Sequence, residues 1–261
     1  MLQSESPYIS QQQNYGSAYS QGQQDDLEWK QAPTNPENDS YDPEIMMRLG
    51  FIRKVFGIIS AQIVFTGVFI YLSCTSPSFA KFQHESPILL GFTLILSLIT
   101  CICISCSRYL SRTFPYNYLL LFVFTLCEAY SVGFICTMYS HEVVLLAAFM
   151  TSGITVGLTI YALTTKKDFT MLGGTLFILL ICLIFFGIGC LFTQNRVINL
   201  IYSVCGAGLF GIYLIYDVQL LIGNKQESID MDDYIFGSMS IYLDIINIFL
   251  HILKILGKEG K

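Results

Sequence analysis

The chain is short of charged residues. Only 13% of its 261 residues are Asp, Glu, Lys or Arg, with 14 basic against 19 acidic side chains, whereas a soluble domain usually carries about 25% charged residues. This is too little polar surface for a soluble domain, and there is no basic patch with which to bind nucleic acid. We therefore expect neither a nucleic-acid partner nor catalysis on large soluble substrates.

Hydrophobic residues make up 53% of the chain and are concentrated in seven continuous runs. An α-helix needs about 20 apolar residues to cross the membrane, while the strands of a transmembrane barrel would be short and alternating. The sequence therefore predicts an all-α polytopic membrane protein. The predicted spans are 55–74, 87–106, 118–139, 143–163, 171–192, 198–220 and 235–256.

The segment before the first run has a different composition. It is rich in Gln, Ser, Asn and Tyr and poor in aliphatic residues, so it cannot bury enough apolar surface to offset the entropy of ordering. We predict a disordered cytoplasmic tail over 1–46, a membrane domain over 47–257 and a short carboxyl-terminal tail over 258–261. The links between the runs are short, which predicts one bundle of antiparallel neighbours.

The distribution of Lys and Arg over the links predicts the orientation. Basic residues gather before the first span and in the second and fourth links, whereas the first, third and fifth links carry only Lys81 and Arg196 between them. The amino terminus is therefore predicted to be cytoplasmic. The last run is more polar and is followed by further lysines, so six spans plus one partial segment and seven full spans both stay open. A glycan on the sequon at Asn38 would overturn this orientation.

The nine cysteines all lie in or at the ends of the apolar runs. An odd number in such positions does not indicate a disulfide framework. Cys101, Cys103 and Cys106 are spread around one helix with no His nearby, so we interpret them as small apolar side chains and expect no bound cofactor.

Few ionisable residues lie inside the runs, and the four singled out as candidates are Glu128, Asp217, Asp244 and His251. A charge at the centre of a membrane helix costs roughly 2.5–3.5 kcal/mol on insertion, which makes such residues candidates for a functional site. Glu128 is expected either to line a cavity or to make a structural hydrogen bond to a neighbouring helix. His251 is more often a satisfied polar contact than a proton relay.

The last run carries a stripe of polar residues at spacings of 3 and 4, which places them on one helix face. The stripe includes Ser240, Asp244, Asn247 and His251. One interpretation is an amphipathic helix at the membrane surface. The other is a central helix whose stripe lines a cavity, and the wide apolar faces of the run favour it.

A central last helix would allow Asp217 and Asp244 to face each other. Two carboxylates at close range cannot both ionise cheaply, so the pair would share a proton and act as a pH-sensitive latch. Because Ca²⁺ prefers oxygen ligands, the same two residues are also a candidate Ca²⁺ site.

Four segments closely resemble the Bax inhibitor (transmembrane Bax inhibitor motif) family, in particular its Lifeguard branch. They are RLGFIRKVFGIISAQIVFT, FPYNYLLLFVFT, IYDVQLLIG and DDYIFGSMSIYLDIINIFLHILKILG. The resemblance implies seven helices with the last one central, a calcium-permeable leak pathway in intracellular membranes and, in eukaryotes, restraint of cell death. It also implies that Asp217 and Asp244 are the family's aspartate pair. The family's latch arginine is then Arg112, with Arg108 as the alternative.

These expectations combine into a pH-sensitive calcium leak channel of endoplasmic reticulum or Golgi membranes, and not an enzyme. Its partners would be the lipid bilayer, Ca²⁺ as the transported ion, H⁺, and apoptosis regulators in the same membrane. A scaffold without transport and a proton-coupled Ca²⁺ antiporter are the alternatives. An intramembrane aspartyl protease is disfavoured because Asp244 lies in Ile-Tyr-Leu-Asp instead of Gly-x-Gly-Asp, and because no proline follows Pro115.

Overall fold

The computed structural model describes residues 43–193, 195–223 and 225–257. The chain divides into two units between Met47 and Arg48. Residues 43–46, which the sequence assigned to the tail, are helical, and the rest of that tail and residues 258–261 lie outside the described residues. The helix bundle belongs to the unit that begins at Arg48.

Helices are the only regular secondary structure in the described part of the chain. Seven of them are long and apolar enough to cross a membrane, which confirms the predicted fold class. The helices are α1 (Pro43–Thr75), α2 (Pro77–Glu85), α3 (Pro87–Cys106), α4 (Arg108–Arg112), α5 (Tyr116–Cys136), α6 (His141–Thr164), α7 (Gly173–Leu191, preceded by the 3-10 turn Thr170–Leu172), α8 (Arg196–Ile222) and α9 (Tyr234–Leu256).

The first long helix begins well before the predicted residue 55. Basic residues interrupt the apolar run there, but Phe51, Val55 and Ile59 follow each other at a spacing of four and are all buried. Residues at this spacing share one face of a helix. The buried face therefore continues through the basic stretch, although the average hydropathy falls.

Local sequence signals define both ends of α8. The side chain of Asn195 caps its first turn, with Oδ1 accepting a hydrogen bond from the N–H of Val197 at 2.9 Å. The helix ends at Gly223, which has φ of 71°. Glycine is favoured in this left-handed conformation because it has no Cβ.

The last helix, α9, lies at the centre of the bundle. In its most apolar stretch 61% of the residues are buried, against 17% for α6 and 28% for α8. It packs against α8, α6, α5, α4 and α3, and its buried side chains include Ile235, Met239, Tyr242, Ile248 and Leu253. This confirms the predicted central position and contradicts the alternative of a helix lying at the membrane surface.

One end of the bundle, called here the basic end, gathers Arg48, α4, the α6–α7 link and the α8–α9 link, which are joined by hydrogen bonds. The opposite end contains the α5–α6 link, where Tyr139 lies against Gly257. Since α9 begins at the basic end and finishes beside Tyr139, it runs the full depth of the bundle. This course favours seven full spans over six spans plus a partial segment.

Candidate functional site

The two acidic residues singled out on α8 and α9 face each other inside the bundle. Asp217 is 8% exposed and Asp244 is 4% exposed, and their carboxyl groups lie within hydrogen-bonding reach of each other. Within the described residues, Oδ2 of Asp244 has no hydrogen-bond donor. Two carboxylate oxygens are both acceptors, so their close approach requires a proton or a cation between them.

The local sequence explains why the carboxyl groups meet. Tyr213 and Asp217 are one helical turn apart on α8, and the phenol of Tyr213 lies near both carboxyl groups. Ser240 and Asp244 have the same spacing on α9, where Ser240 is half-buried. The face of α8 that carries Asp217 is buried, with Leu214, Val218 and Leu221 beside it. Apolar packing therefore holds the two acids together in a site with little access to water.

Arg112 lies at the basic end and contacts acids of the α8–α9 link. Its Nε and Nη2 each donate to the carboxylate of Asp233 at 2.7 Å, and Nη2 also donates to Asp230 at 2.9 Å. The hydrogen bond to Asp233 and the nearby negative charges raise the pKa of Arg112. The alternative residue, Arg108, is exposed. The role of Arg112 as a latch for the aspartate pair stays a prediction.

Arg48 was considered in the sequence only as a topological signal, but it binds the end of α8. Its guanidinium donates to the carbonyl oxygens of Leu220 at 2.9 Å, Ile222 at 3.1 Å and Ile229 at 2.8 Å. The last carbonyl groups of a helix lack partners and carry partial negative charge, so a cation there is favourable. A Cβ at Gly223 would overlap Nη2 of Arg48, so this glycine also makes room for the arginine.

Gln219 joins the same turn of α8 to the α6–α7 link. Its Oε1 accepts from the N–H of Phe169 at 2.8 Å, and its Nε2 donates to the carbonyl of Lys167 at 3.0 Å. Gln219 follows Asp217 by two positions. The helical turn that carries this aspartate is therefore tied both to α1 and to the α6–α7 link.

A third contact joins the α6–α7 link to the α8–α9 link. Asp168 accepts hydrogen bonds from the hydroxyl of Thr170 at 2.6 Å, the N–H of Thr170 at 2.9 Å and the N–H of Gln226 at 3.4 Å. These bonds, with that of the Thr170 hydroxyl foremost, hold the pKa of Asp168 below its ordinary range. Asp168 therefore favours the folded link most when it is ionised.

His251 and Asn247 are the remaining polar residues of the α9 stripe. His251 is buried between the rings of Tyr202 and Phe210, with centroid distances of 5.3 and 5.8 Å. A Cβ at Gly206 would overlap the His251 ring. Asn247 is half-buried and donates to the carbonyl of Leu243 at 2.8 Å.

Glu128 lies apart from the aspartate pair, on α5. It is half-buried and accepts a hydrogen bond from the hydroxyl of Ser97 on α3. Of the two roles expected from the sequence, the hydrogen bond to a neighbouring helix is present. A role in lining a pathway stays a prediction.

A cavity of about 620 Å³ lies between α1, α6 and α9. Its walls are mainly apolar and include Ile63, Ile70, Leu145 and Phe249. None of the acids singled out in the sequence lines it. The cavity and the aspartate pair are therefore separate features.

The described residues contain no group of three or more His, Cys, Asp and Glu side chains placed to hold a metal ion. All nine cysteines are free. Asp217 and Asp244 alone supply fewer ligands than the six to eight or so oxygens that surround Ca²⁺ in proteins. A calcium ion between them would therefore keep much of its water.

Seven long apolar helices around a buried last helix, which shares an acidic pair with its neighbour, define a polytopic membrane protein. Residues 48–261 match the family model described as inhibitor of apoptosis-promoting Bax1. The chain belongs to this Bax inhibitor family, as its sequence segments predict.

The chain is also similar to several individual proteins. It is 36% identical over 217 residues to protein lifeguard 4 of Mus musculus, which covers 83% of this chain and 88% of that protein. It is 32% identical over 231 residues to protein lifeguard 3 of Homo sapiens, with 85% and 74% covered. It is 34% identical over 221 residues to the Golgi anti-apoptotic protein of vaccinia virus (strain Lister), with 83% and 89% covered. The predicted resemblance to the Lifeguard branch is thus confirmed.

Proposed function

We propose that the protein is a pH-sensitive, calcium-permeable leak channel of intracellular membranes that suppresses cell death. The observation that carries the proposal is the buried pair of carboxyl groups of Asp217 and Asp244, at the contact between α8 and α9. An acidic pair inside a membrane bundle attracts cations and responds to protons, which are the two properties that such a channel needs.

The pH response would come from the charge of the pair. With one shared proton the two carboxyl groups attract each other, and with none they repel each other across a medium that screens poorly. The force between α8 and α9 therefore changes with the protonation of the pair. Since α9 is the central helix, a shift between these two helices would alter the packing along the whole bundle.

The contacts at the basic end support a gate at the contact between α8 and α9. Arg48 binds the α8–α9 link through the carbonyl group of Ile229, and Arg112 binds it through the carboxylate of Asp233. This link joins the two helices whose acids meet. A change in the aspartate pair would be transmitted directly to the link and its two arginines.

The role in cell death is supported by the comparisons. The family model is described by its inhibition of apoptosis, and one relative is named a Golgi anti-apoptotic protein. We infer an endoplasmic reticulum or Golgi location, a cytoplasmic amino terminus, and functional coupling to apoptosis regulators in the same membrane. Ca²⁺ and H⁺ would be the ions involved, with Ca²⁺ transported.

The test is calcium efflux from liposomes that contain the purified full chain, measured over a series of pH values. We expect Asp217→Asn and Asp244→Asn each to change the efflux rate and to flatten its pH dependence, because each removes one titratable carboxyl group from the pair. Asp232→Asn is the matched control, since Asp232 is an exposed acid of the α8–α9 link. It should leave the pH profile unchanged.

An unchanged pH profile in both Asn variants would rule out the latch. Wild-type protein that releases no Ca²⁺ but still suppresses cell death would instead identify a scaffold. Saturating exchange driven by a proton gradient would identify an antiporter.

A further inference from the structure

A second group of polar side chains lies between α1, α3, α5 and α9. This Glu128 cluster consists of one acid and five uncharged residues: Gln62, Thr66, Ser97, Thr125, Glu128 and Tyr242. The five uncharged members are at most 6% exposed. Tyr242 and Asp244 are two positions apart on α9 and so lie on roughly opposite helix faces. The cluster is therefore separate from the aspartate pair.

On the α1–α9 side of the cluster, the hydroxyl hydrogens of Thr66 and Tyr242 are both donated in hydrogen bonds. Thr66 donates to the carbonyl of Gln62 at 2.8 Å. In the 2.8 Å contact between Thr66 Oγ1 and the hydroxyl of Tyr242, the tyrosine must therefore be the donor. The Tyr242 oxygen keeps its lone pairs and lies near enough to Glu128 to interact with it electrostatically.

The same reasoning assigns the orientation of the Gln62 amide group. Thr125 donates to the carbonyl of Leu121 at 2.7 Å, so its 2.8 Å contact with Gln62 requires the amide nitrogen as donor. Oε1 of Gln62 is then left with no donor among residues 43–193, 195–223 and 225–257. A buried acceptor without a donor is unfavourable, because folding has removed the water that would have satisfied it.

Glu128 adds a charge to these acceptors. It lies near the middle of α5, where Ser97 donates a hydrogen bond to it. The ion pairs found in the described part of the chain are Lys81–Glu85, Arg112–Asp230 and Arg112–Asp233, and none of them includes Glu128. A carboxylate at this depth is costly unless its charge is balanced, either by a proton or by a metal cation.

We propose that the Glu128 cluster binds a monovalent metal cation, Na⁺ or K⁺. The hydroxyl hydrogens of the cluster are committed, which leaves one amide hydrogen of Gln62 against a surplus of acceptor oxygens around one carboxylate, and hard cations bind such oxygens. One negative charge balances one positive charge, which favours a monovalent ion. The ligands are the carboxylate of Glu128, Oε1 of Gln62 and the hydroxyl oxygens of Tyr242 and Thr125.

The test measures the thermal unfolding midpoint of the full chain in lipid nanodiscs, in equal concentrations of NaCl, KCl and choline chloride. A ligand that binds only the folded state raises the midpoint, and we expect a rise of about 3–6 °C once the cation is about tenfold above its dissociation constant. Glu128→Gln should abolish the difference between the metal salts and choline. Ser97→Ala keeps the charge and should shift the response to higher salt.

Two control variants distinguish cation binding at the Glu128 cluster from general salt effects and from the proposed channel activity. Glu142→Gln removes an exposed acid at the start of α6 and should keep the full response. Asp217→Asn should also keep it, so this test does not depend on the outcome of the calcium-flux experiment. If Glu128→Gln fails to fold, the Ser97→Ala titration and the wild-type comparison still decide the question.

Three results would contradict the proposal. Equal midpoints in all three salts would show that water alone fills the cluster. A midpoint that follows pH but not Na⁺ or K⁺ would identify a bound proton. Stabilisation by CaCl₂ without stabilisation by the monovalent salts would identify a divalent site.

Discussion

Three glycines on α8 occupy three different environments. Gly206 faces the ring of His251, and a Cβ on Gly211 would lie 3.2 Å from Leu158. A Cβ on Gly208 would meet no described atom within 4 Å apart from the backbone of its own helix. In the sequence all three look alike, as small residues that let membrane helices approach. Only Gly206 is required by a close contact, because the His251 ring occupies the space that a Cβ would need.

This difference predicts opposite effects for two identical substitutions. Gly206→Ala should lower the free energy of unfolding by about 1–3 kcal/mol, the usual cost of overpacking a buried contact. Gly208→Ala should be neutral or slightly stabilising, because alanine favours helix more than glycine does. Unfolding of purified protein in detergent measures both. In a Gly206→Ala, His251→Ala double variant the cost should be smaller than the sum of the single costs. Equal effects of the two alanine substitutions would contradict the close contact.

At the scale of the helix, the carboxyl-terminal turn of α8 is fixed by hydrogen bonds to other parts of the chain. Arg48 binds two carbonyl groups in its last turn, those of Leu220 and Ile222, and Gln219 joins it to the α6–α7 link. Hydrogen bonds that involve a charged group are stronger than neutral ones. The turn next to Asp217 is therefore a rigid support for the aspartate pair.

Removing the cation should loosen this turn. For Arg48→Gln we expect faster hydrogen exchange over residues 219–223 and 225–230, and a loss of roughly 1.5–3 kcal/mol in the free energy of unfolding, since carbonyl groups lose charged donors. The control is Arg53→Gln, because Arg53 is an exposed basic residue on the same helix. Identical exchange in the two variants would mean that Arg48 does not cap α8.

The sequence predicted most of the architecture but few of the contacts at the basic end. Apolar runs located all seven spans, and the polar stripe of Ser240, Asp244, Asn247 and His251 between wide apolar faces predicted the central position of α9. The contacts of Arg48 were missed because its acceptors are backbone carbonyl groups, which any sequence provides. The contact of Gln62 with Thr125 joins residues 63 positions apart, and a single sequence contains no signal for such a pair. The short helices α2 and α4 were missed because they lie in polar links.

At the scale of the whole molecule, the path of α9 through the bundle predicts on which side of the membrane each end of the chain lies. Seven helices of sufficient length, with α9 running from the basic end to Tyr139, predict that Arg48 and the end of α9 lie on opposite faces of the membrane. The concentration of Arg and Lys at the basic end predicts that this end is cytoplasmic. Residues beyond Leu256 should then lie in the lumen.

Glycosylation mapping tests this topology. A sequon appended after Lys261 through a flexible linker should be modified in microsomes, because the oligosaccharide is transferred only on the lumenal side. The natural sequon at Asn38 should stay unmodified and serves as the internal control. A glycan on Asn38 without one on the appended sequon would reverse the orientation.

The burial of α9 has a consequence for biosynthesis. The ribosome makes this helix after the other six spans, yet it occupies the middle of the finished bundle and supplies Asp244 and Tyr242 to two polar contacts. During translation the six earlier spans wait in the bilayer with Asp217 and Thr66 lacking these partners. We expect a nascent chain at this stage, or one cut short before Tyr234, to present polar groups to lipid and therefore to be recognised by membrane chaperones and degraded.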